Sequence, residues 1–150
     1  AACSHNHPEG MKGASAVAEA INMAIHACLG KSDAERTQLA KEICKTVSSN
    51  NGYNFNIDLQ SVTNKFDETC QGTVPVAFRI IADSQSFEDA IRKAVALGAD
   101  ADTLGAIVGS IAEHIWGIPD WIKEKALSYL PEEMRNIIKS FDEKVNLSTK

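Results

Sequence analysis

Apolar residues recur every three or four positions along most of this chain, which is the spacing of one face of an α-helix. The clearest stretches have the apolar positions Val17, Ile21, Ile25, Cys28 and Leu29; Leu39, Ile43 and Val47; Val74, Phe78 and Ile81; Ile91, Val95 and Leu97; and Leu104, Ile107, Val108, Ile111 and Ile115. Very little of the sequence alternates with the two-residue period of a strand. The pattern predicts an all-α protein, with about seven helices packed on one core in a single domain over residues 1–150.

Polar residues, prolines and glycines mark the ends of these helices. Ser32 and Ser86 are each followed three positions later by an acidic residue, which is the spacing of a capping box at a helix start. Proline is well tolerated in a first helical turn. The prolines expected there are Pro8, Pro119 and Pro131. The breaks expected after the first and second helices are Gly30 and the run 48–52. Residues 53–72 are less regular and predict only one short helix, around Leu59 to Phe66.

The composition argues against some classes of function but does not identify one. Of the 150 residues, 44% are hydrophobic and 23% are charged, as in ordinary globular proteins. The net charge of −5 argues against a nucleic-acid partner, and no apolar run is long enough to span a membrane. The four cysteines are far apart, with no Cys-x-x-Cys pair, so we expect reduced thiols in a cytoplasmic protein. Two of them, Cys28 and Cys44, fall in helical patterns and are predicted to be core residues.

The segment Asp100-Ala-Asp-Thr103 is the richest in candidate chemistry. Two carboxylates and a hydroxyl gather hard oxygen atoms at a helix start, and such atoms suit Mg²⁺, Mn²⁺ or Ca²⁺ rather than zinc. An Asp at a helix start can equally cap free N–H groups, and spacing alone favours that simpler interpretation. A calcium-binding EF-hand loop is excluded, because Leu104 and Ile111 occupy positions that need oxygen ligands.

A second cluster, Cys3-Ser-His-Asn-His-Pro8, precedes the first helix. It lacks a fourth ligand at usable spacing, which argues against a zinc site. Two interpretations remain open: a polar loop that contacts a ligand, or a plain helix cap formed by Asn6 or His7. The neighbouring pair Glu113 and His114 is a weaker candidate, since adjacent helical residues point about 100° apart.

Three segments together resemble the ADP-ribosylglycohydrolase family, which includes the dinitrogenase reductase-activating glycohydrolases. They are Ser4–Gly10 leading into Gly13-Ala14, Cys70–Ala77, and Ser86–Ile91 running through Leu97–Ile107 to Gly117-Ile-Pro119. Their order and spacing match the second half of the family over about residues 3 to 135, and the third segment is the most specific.

The resemblance implies a compact all-α bundle with a centre of two metal ions, usually Mg²⁺ and alternatively Mn²⁺. Asp100, Asp102 and Thr103 would be ligands on one side of that centre. In the family the metals hold the ribose hydroxyls of ADP-ribose and position a water, and the bond from the ribose to a protein or other leaving group is cleaved. The residues implied to line the substrate site are His5, Thr69, Cys70 and Gly72. The implied partners are ADP-ribose and ADP-ribosylated proteins.

Two departures from the family pattern limit this expectation. The family often has Gly-Gly before the first metal-binding Asp, whereas this chain has Gly98-Ala99. The Gly-Asp-Ala and Thr/Ser-Asp-Asp segments of the family's first half have no counterpart, so the catalytic residues are expected in a missing N-terminal half. We therefore expect a fragment of a longer enzyme, a subunit completed by a complementary N-terminal chain, or a shortened relative that forms a homodimer.

Two functions follow from these expectations. One is a metal-dependent hydrolase of N- or O-glycosidic ADP-ribosyl bonds, to which this chain supplies the Asp-x-Asp-Thr side of the site. The other is a truncated, non-catalytic helical relative that acts as a binding or structural protein, as crystallin-like members of the family do. The sequence does not indicate which ADP-ribosyl linkage would be cleaved.

Overall fold

The computed structural model describes residues 1–148, with side chains up to Val145, and this part of the chain is helical with no strand. The helices are α1 (Pro8–Ala27), α2 (Asp33–Asn50), α3 (Leu59–Val62), α4 (Cys70–Ala82), α5 (Phe87–Ala96), α6 (Ala101–Trp116), α7 (Asp120–Ser128) and α8 (Glu132–Ser148). The predicted all-α class is confirmed. The chain divides into two compact units, Ala1–Gly117 with α1 to α6 and a second unit from Ile118 onward with α7 and α8.

Helix α4 is at the centre of the first unit, where it packs against α1, α2, α5 and α6. Nine of its residues are buried, including Phe78, Ile80 and Ile81, because the helix is surrounded on most sides. Val74 and Val76 are β-branched residues that favour a strand, but both are part of helix α4, which also contains Pro75. Helix α6 buries four of the five residues that its periodicity predicted, including Val108 and Ile111, whereas Ile107 is only half-buried.

Helix α1 packs through its small residues, which differs from the sequence prediction. Its buried positions are Gly13, Ala16, Ala20 and Ala24, followed by Cys28 at the end of the helix. The predicted core positions Ile25 and Leu29 are instead 44% and 85% exposed. Small side chains allow helix axes to approach closely, and α1 uses this to contact α2, α4 and α6. The predicted burial of Cys28 and Cys44 is confirmed, and burial raises the pKa of both thiols.

The predicted capping box at Ser32 is present. The Ser32 hydroxyl accepts from the Glu35 N–H at 3.4 Å, and the Glu35 carboxylate accepts from the Ser32 N–H at 2.9 Å. At Ser86 only half of the box forms, since Asp89 donates its N–H to Ser86 but its carboxylate accepts from the Gln85 N–H.

Four helix boundaries differ from the prediction. Helix α2 continues through the predicted breaker to Asn50, and the turn follows at Gly52, whose φ is +66°. Pro119 is the N-cap of α7, one position before the first turn, and Pro131 likewise lies one position before α8. The short helix α3 ends at Val62, before the predicted end at Phe66.

The second unit is a helical pair. Lys123 of α7 and Asp142 of α8 lie 4.0 Å apart, at the limit of an ion pair. Helix α8 exposes apolar side chains along one face, including Met134, Ile137 and Phe141. Among the described helices, none combines the length and the apolar character that crossing a membrane requires.

We predict that Ile111→Ala lowers the free energy of unfolding by about 2–5 kcal/mol, because it leaves a cavity at a fully buried position of α6. Leu29→Ala is the matched control, and it should change stability by no more than about 0.5 kcal/mol since Leu29 is exposed. Urea denaturation followed by far-ultraviolet circular dichroism measures both. A large loss of stability in the Leu29 variant would contradict the packing of α1 through its small face.

Candidate functional site

The predicted metal-binding segment lies in the short connection from α5 to α6. Asp100 is the N-cap residue of α6, yet its side chain forms no capping hydrogen bond. Asp102 and Thr103 lie in the first turn of the helix and are exposed to solvent. The capping role that spacing alone favoured for Asp100 is therefore wrong. Both carboxyl groups and the Thr103 hydroxyl lie at the start of α6.

The two carboxyl groups of this segment lie close together. The Asp100 side chain is within hydrogen-bond reach of Asp102, and this contact is the main reason that the pKa of Asp102 is below its ordinary range. The Thr103 N–H also donates to Asp102, at 2.9 Å, and lowers that pKa further. Two neighbouring carboxylates with a hydroxyl form a hard-oxygen donor set of the kind that Mg²⁺ or Mn²⁺ prefers.

This donor set is small. Within the part of the chain that the structure describes, no group of three or more His, Cys, Asp or Glu residues could hold a metal ion. An octahedral ion needs six ligands, so Asp100, Asp102 and Thr103 would supply one side of its shell and water or other groups would supply the rest. Among the described residues, Cys3, His5 and His7 do not form such a group.

The backbone before Asp100 is held by a contact that the sequence did not predict. Asn64 and Gly98 both have positive φ, of 56° and 67°, and they lie against each other. The Asn64 N–H donates to the carbonyl of Leu97 at 2.9 Å, which ties the irregular segment before α4 to the end of α5. The left-handed conformation falls on Gly98 and not on Ala99, so the alanine that departs from the family's Gly-Gly pair is compatible with this backbone.

His5 lies in a groove between α1, α4 and α6, which we call the α1 groove. The groove has a volume of about 460 Å³. Its lining residues are Ala1, His5, Gly10, Gly13, Ala14, Val17, Ala18, Ile21, Cys70, Val74 and Ile107. The His5 ring pairs through Nδ1 with the Ser4 hydroxyl at 3.0 Å. His7 instead caps α1 by accepting from the Glu9 N–H at 3.3 Å, so the helix-cap interpretation holds for His7 and the ligand-loop interpretation remains open for His5.

The α1 groove depends on a close approach between α1 and α4. A β-carbon added to Gly13 would lie 2.9 Å from Cβ of Cys70, which is closer than real side chains come. Gly13 therefore lets the start of α4 approach α1, and this brings Cys70 into the same groove as His5. Two of the four residues predicted to line the substrate site are thus neighbours in space.

The other two, Thr69 and Gly72, form the cap of α4. The Thr69 hydroxyl accepts from the Gly72 N–H at 3.2 Å and donates to Oδ1 of Asp67 at 2.7 Å. The Thr69 N–H donates to the same carboxylate oxygen at 2.9 Å, and these bonds lower the pKa of Asp67. Asp67 was not among the predicted site residues, although an Asp two positions before a Thr at a helix start is a recognisable turn signal.

Gly72 faces a second cavity, which we call the loop pocket, with a volume of about 360 Å³. Its lining residues are Ile57, Val62, Lys65, Phe66, Asp67, Gly72, Thr73, Val76, Leu97, Ala99 and Leu104. The start of α4 thus separates two cavities, with Cys70 in the α1 groove and Gly72 in the loop pocket. Asp100, Asp102 and Thr103 line neither cavity, although Ala99 and Leu104 on either side of them line the loop pocket.

The comparisons with known proteins gave one finding. A family model described as ADP-ribosylglycohydrolase matches residues 1–148, nearly the whole chain. The searches of curated proteins and of solved structures returned no match. The family match confirms the resemblance that three sequence segments indicated, and the all-helical fold is consistent with it.

We predict opposite effects for alanine at two glycines around the Asp100 segment. Gly98→Ala should lower stability by about 1–3 kcal/mol, because its positive φ and the contact with Asn64 leave no room for a β-carbon. Gly105→Ala, within α6 and facing open space, should raise stability by about 0.5–1 kcal/mol through helix propensity. Chemical denaturation measures the stability of both variants. Equal changes in stability would contradict the left-handed conformation of Gly98 in the connection between α5 and α6.

Proposed function

We propose that this chain, which belongs to the ADP-ribosylglycohydrolase family, acts in the metal-dependent hydrolysis of N- or O-glycosidic ADP-ribosyl bonds. In this proposal Asp100, Asp102 and Thr103 supply one side of a centre of two Mg²⁺ ions, with Mn²⁺ as the alternative metal. The observation that carries the proposal is the side chain of Asp100. It is the N-cap residue of α6 but forms no capping hydrogen bond, and it lies within reach of the Asp102 side chain.

The first turn of α6 is suited to holding these groups before a metal arrives. The N-terminus of a helix favours negative charge. The hydrogen bond between the Asp100 and Asp102 side chains, together with the one from the Thr103 N–H, lowers the pKa of Asp102 and favours its ionised form. The Thr103 hydroxyl adds a neutral oxygen. When bound, divalent cations would hold the ribose hydroxyls and polarise a water for attack on the ribose carbon.

We propose that the substrate, ADP-ribose or an ADP-ribosylated protein, lies along the start of α4. His5 and Cys70 would contact it from the α1 groove, and Thr69 and Gly72 from the other side of the helix start. The imidazole of His5 can donate to or accept from a phosphate or ribose oxygen. The α1 groove is lined mainly by apolar side chains, which supports the expectation that a second copy or a complementary chain covers it. The cytoplasmic location stays a prediction.

The alternative is a non-catalytic relative that keeps the fold and binds a ligand or serves a structural role. The observation in its favour is the donor count, since the residues that the structure describes contain no group of three or more His, Cys, Asp or Glu side chains that could hold a metal ion. Turnover that depends on both Mg²⁺ and Asp102 would favour the hydrolase over this alternative, whereas metal binding alone is compatible with both.

We predict that Mn²⁺ and Mg²⁺ bind through the Asp100 segment. Asp102→Ala should weaken the affinity by at least roughly tenfold, since removing a ligand should exceed the effect of removing an outer-shell partner. Asp33→Ala is the matched control, because Asp33 also lies in the first turn of a helix and is exposed. Isothermal titration calorimetry measures both variants. Unchanged affinity in the Asp102 variant would disprove the assignment of the metal ligands.

We also predict that the pure 150-residue chain does not release ADP-ribose from a modified protein at an enzymatic rate. The reason is the ligand count, since three oxygen donors from one segment are too few to fix two octahedral ions. The assay measures free ADP-ribose with and without Mg²⁺, and the Asp102→Ala variant sets the background. Turnover that depends on both Mg²⁺ and Asp102 would contradict this prediction while supporting the hydrolase.

A further inference from the structure

We infer that the loop pocket is a binding site for a neutral, planar group that carries both a carbonyl and an N–H, such as the edge of a pyrimidine or a carboxamide. In the hydrolysis, this group would be the leaving group, and that part of the inference rests on the proposed function. The binding of such a group to the loop pocket does not depend on the proposed function and can be tested by itself.

The shape of the loop pocket favours a flat ligand. Its inner wall is formed by the buried apolar side chains of Val76, Leu97 and Leu104, which exclude water from one face. Phe66 lines the same pocket and is 71% exposed. An exposed aromatic ring beside an apolar wall offers a surface on which a planar ring can stack. A large, flexible aliphatic ligand would gain less from this surface.

The polar groups of the loop pocket specify the charge of the ligand. Oδ1 of Asp67 already accepts two hydrogen bonds from Thr69, whereas Oδ2 lies against Gly72 and accepts none within the described residues. Asp67 is ionised, because its pKa is lowered by the bonds from Thr69, so Oδ2 can accept from a ligand N–H. Lys65 lines the same pocket and has no ion pair in the described part of the chain.

These two charges of opposite sign disfavour two classes of ligand. A guanidinium would be attracted by Asp67 but repelled by Lys65. A carboxylate would be attracted by Lys65 but repelled by Asp67. A neutral group that offers an N–H to Asp67 and a carbonyl to Lys65 satisfies both. The lactam edge of a pyrimidine and a primary carboxamide have this arrangement. The loop pocket therefore favours them over the cationic side chain of arginine.

The loop pocket is held in shape beside the proposed metal site. Gly72 has no side chain, and a β-carbon there would collide with the Asp67 carboxylate, so the carboxylate is fixed against the start of α4. The hydrogen bond from Asn64 to Leu97 holds the loop against the connection that precedes α6. Ala99, immediately before Asp100, is part of the pocket wall. A group in the pocket would therefore lie next to the segment that we propose to bind the metal ions.

The test is a titration of the full chain with three small probes, followed by amide chemical shifts in two-dimensional NMR. The probes are uracil, agmatine as a cationic guanidinium, and benzoate as an anionic ring. We expect uracil to bind saturably, with a Kd on the order of 1 mM given its size, and the two charged probes to bind at least roughly tenfold more weakly. The shifted amides should include those of residues 65–67 and 72. Agmatine or benzoate binding as tightly as uracil, or no saturable uracil binding, would overturn the inference.

Three variants test the role of each side chain. Phe66→Ala should weaken uracil binding by roughly tenfold through lost stacking, whereas Phe141→Ala, another exposed aromatic residue, should leave it unchanged. Lys65→Gln should improve agmatine binding selectively, and Asp67→Asn should improve benzoate binding selectively. If Lys65→Gln left agmatine binding unchanged and Asp67→Asn left benzoate binding unchanged, the proposed pocket chemistry would be contradicted. Thermal unfolding identifies any variant that fails to fold, and the side chains of Lys65 and Phe66 are exposed enough to make this a small risk.

Uracil binding in the Asp102→Ala variant separates this inference from the proposed function. We expect it to be unchanged, because Asp102 does not line the loop pocket. Loss of metal binding with intact uracil binding would support both assignments. Intact metal binding with unchanged uracil binding would disprove the metal ligands but leave the pocket supported. Loss of uracil binding in this variant would place the ligand at the carboxylates and overturn the inference.

Discussion

The close packing of α1 against α2, α4 and α6 through residues without large side chains is the constraint on which most of the first unit depends. Gly13, Ala16, Ala20 and Ala24 form the buried face of α1, so the helix approaches its neighbours more closely than a face of leucines would allow. Its larger aliphatic side chains then fall outside the core, and Val17 and Ile21 line the α1 groove beside His5. The groove is thus a consequence of how α1 packs. The packing of one helix decides both where the core lies and where a ligand could be contacted.

The connection between α5 and α6 applies a second constraint to the same region. A left-handed residue at Gly98 turns the chain sharply, and Asn64 supports that turn from a distant part of the sequence. The turn brings Asp100 to the start of α6, where its side chain forms no capping hydrogen bond and lies within reach of Asp102. A hard-oxygen donor set and an apolar pocket come to lie side by side, because one short connection contributes to both.

The sequence predicted the helices well and some of their contacts poorly, for physical reasons. Periodicity located α4 and α6 with their buried faces, since large apolar residues there coincide with the core. On α1 the same reasoning predicted the wrong buried face. A periodicity of large apolar residues such as isoleucine does not detect a buried face made of alanines. Family resemblance identified Asp100 and Asp102 as a pair. Asn64 was missed because its role comes from a partner far along the chain, and local patterns carry no signal for such a contact.

The contact between Gly13 and Cys70 has a consequence for how this protein can vary among its relatives. A β-carbon at position 13 would lie 2.9 Å from Cβ of Cys70. A larger residue at either position therefore requires a smaller residue at the other or a wider spacing of the two helices. Substitutions at these two sites should therefore covary, even though one lies in α1 and the other begins α4. A relative with alanine or serine at position 13 would be expected to carry glycine at position 70, or a more widely spaced pair of helices with a broader groove between them.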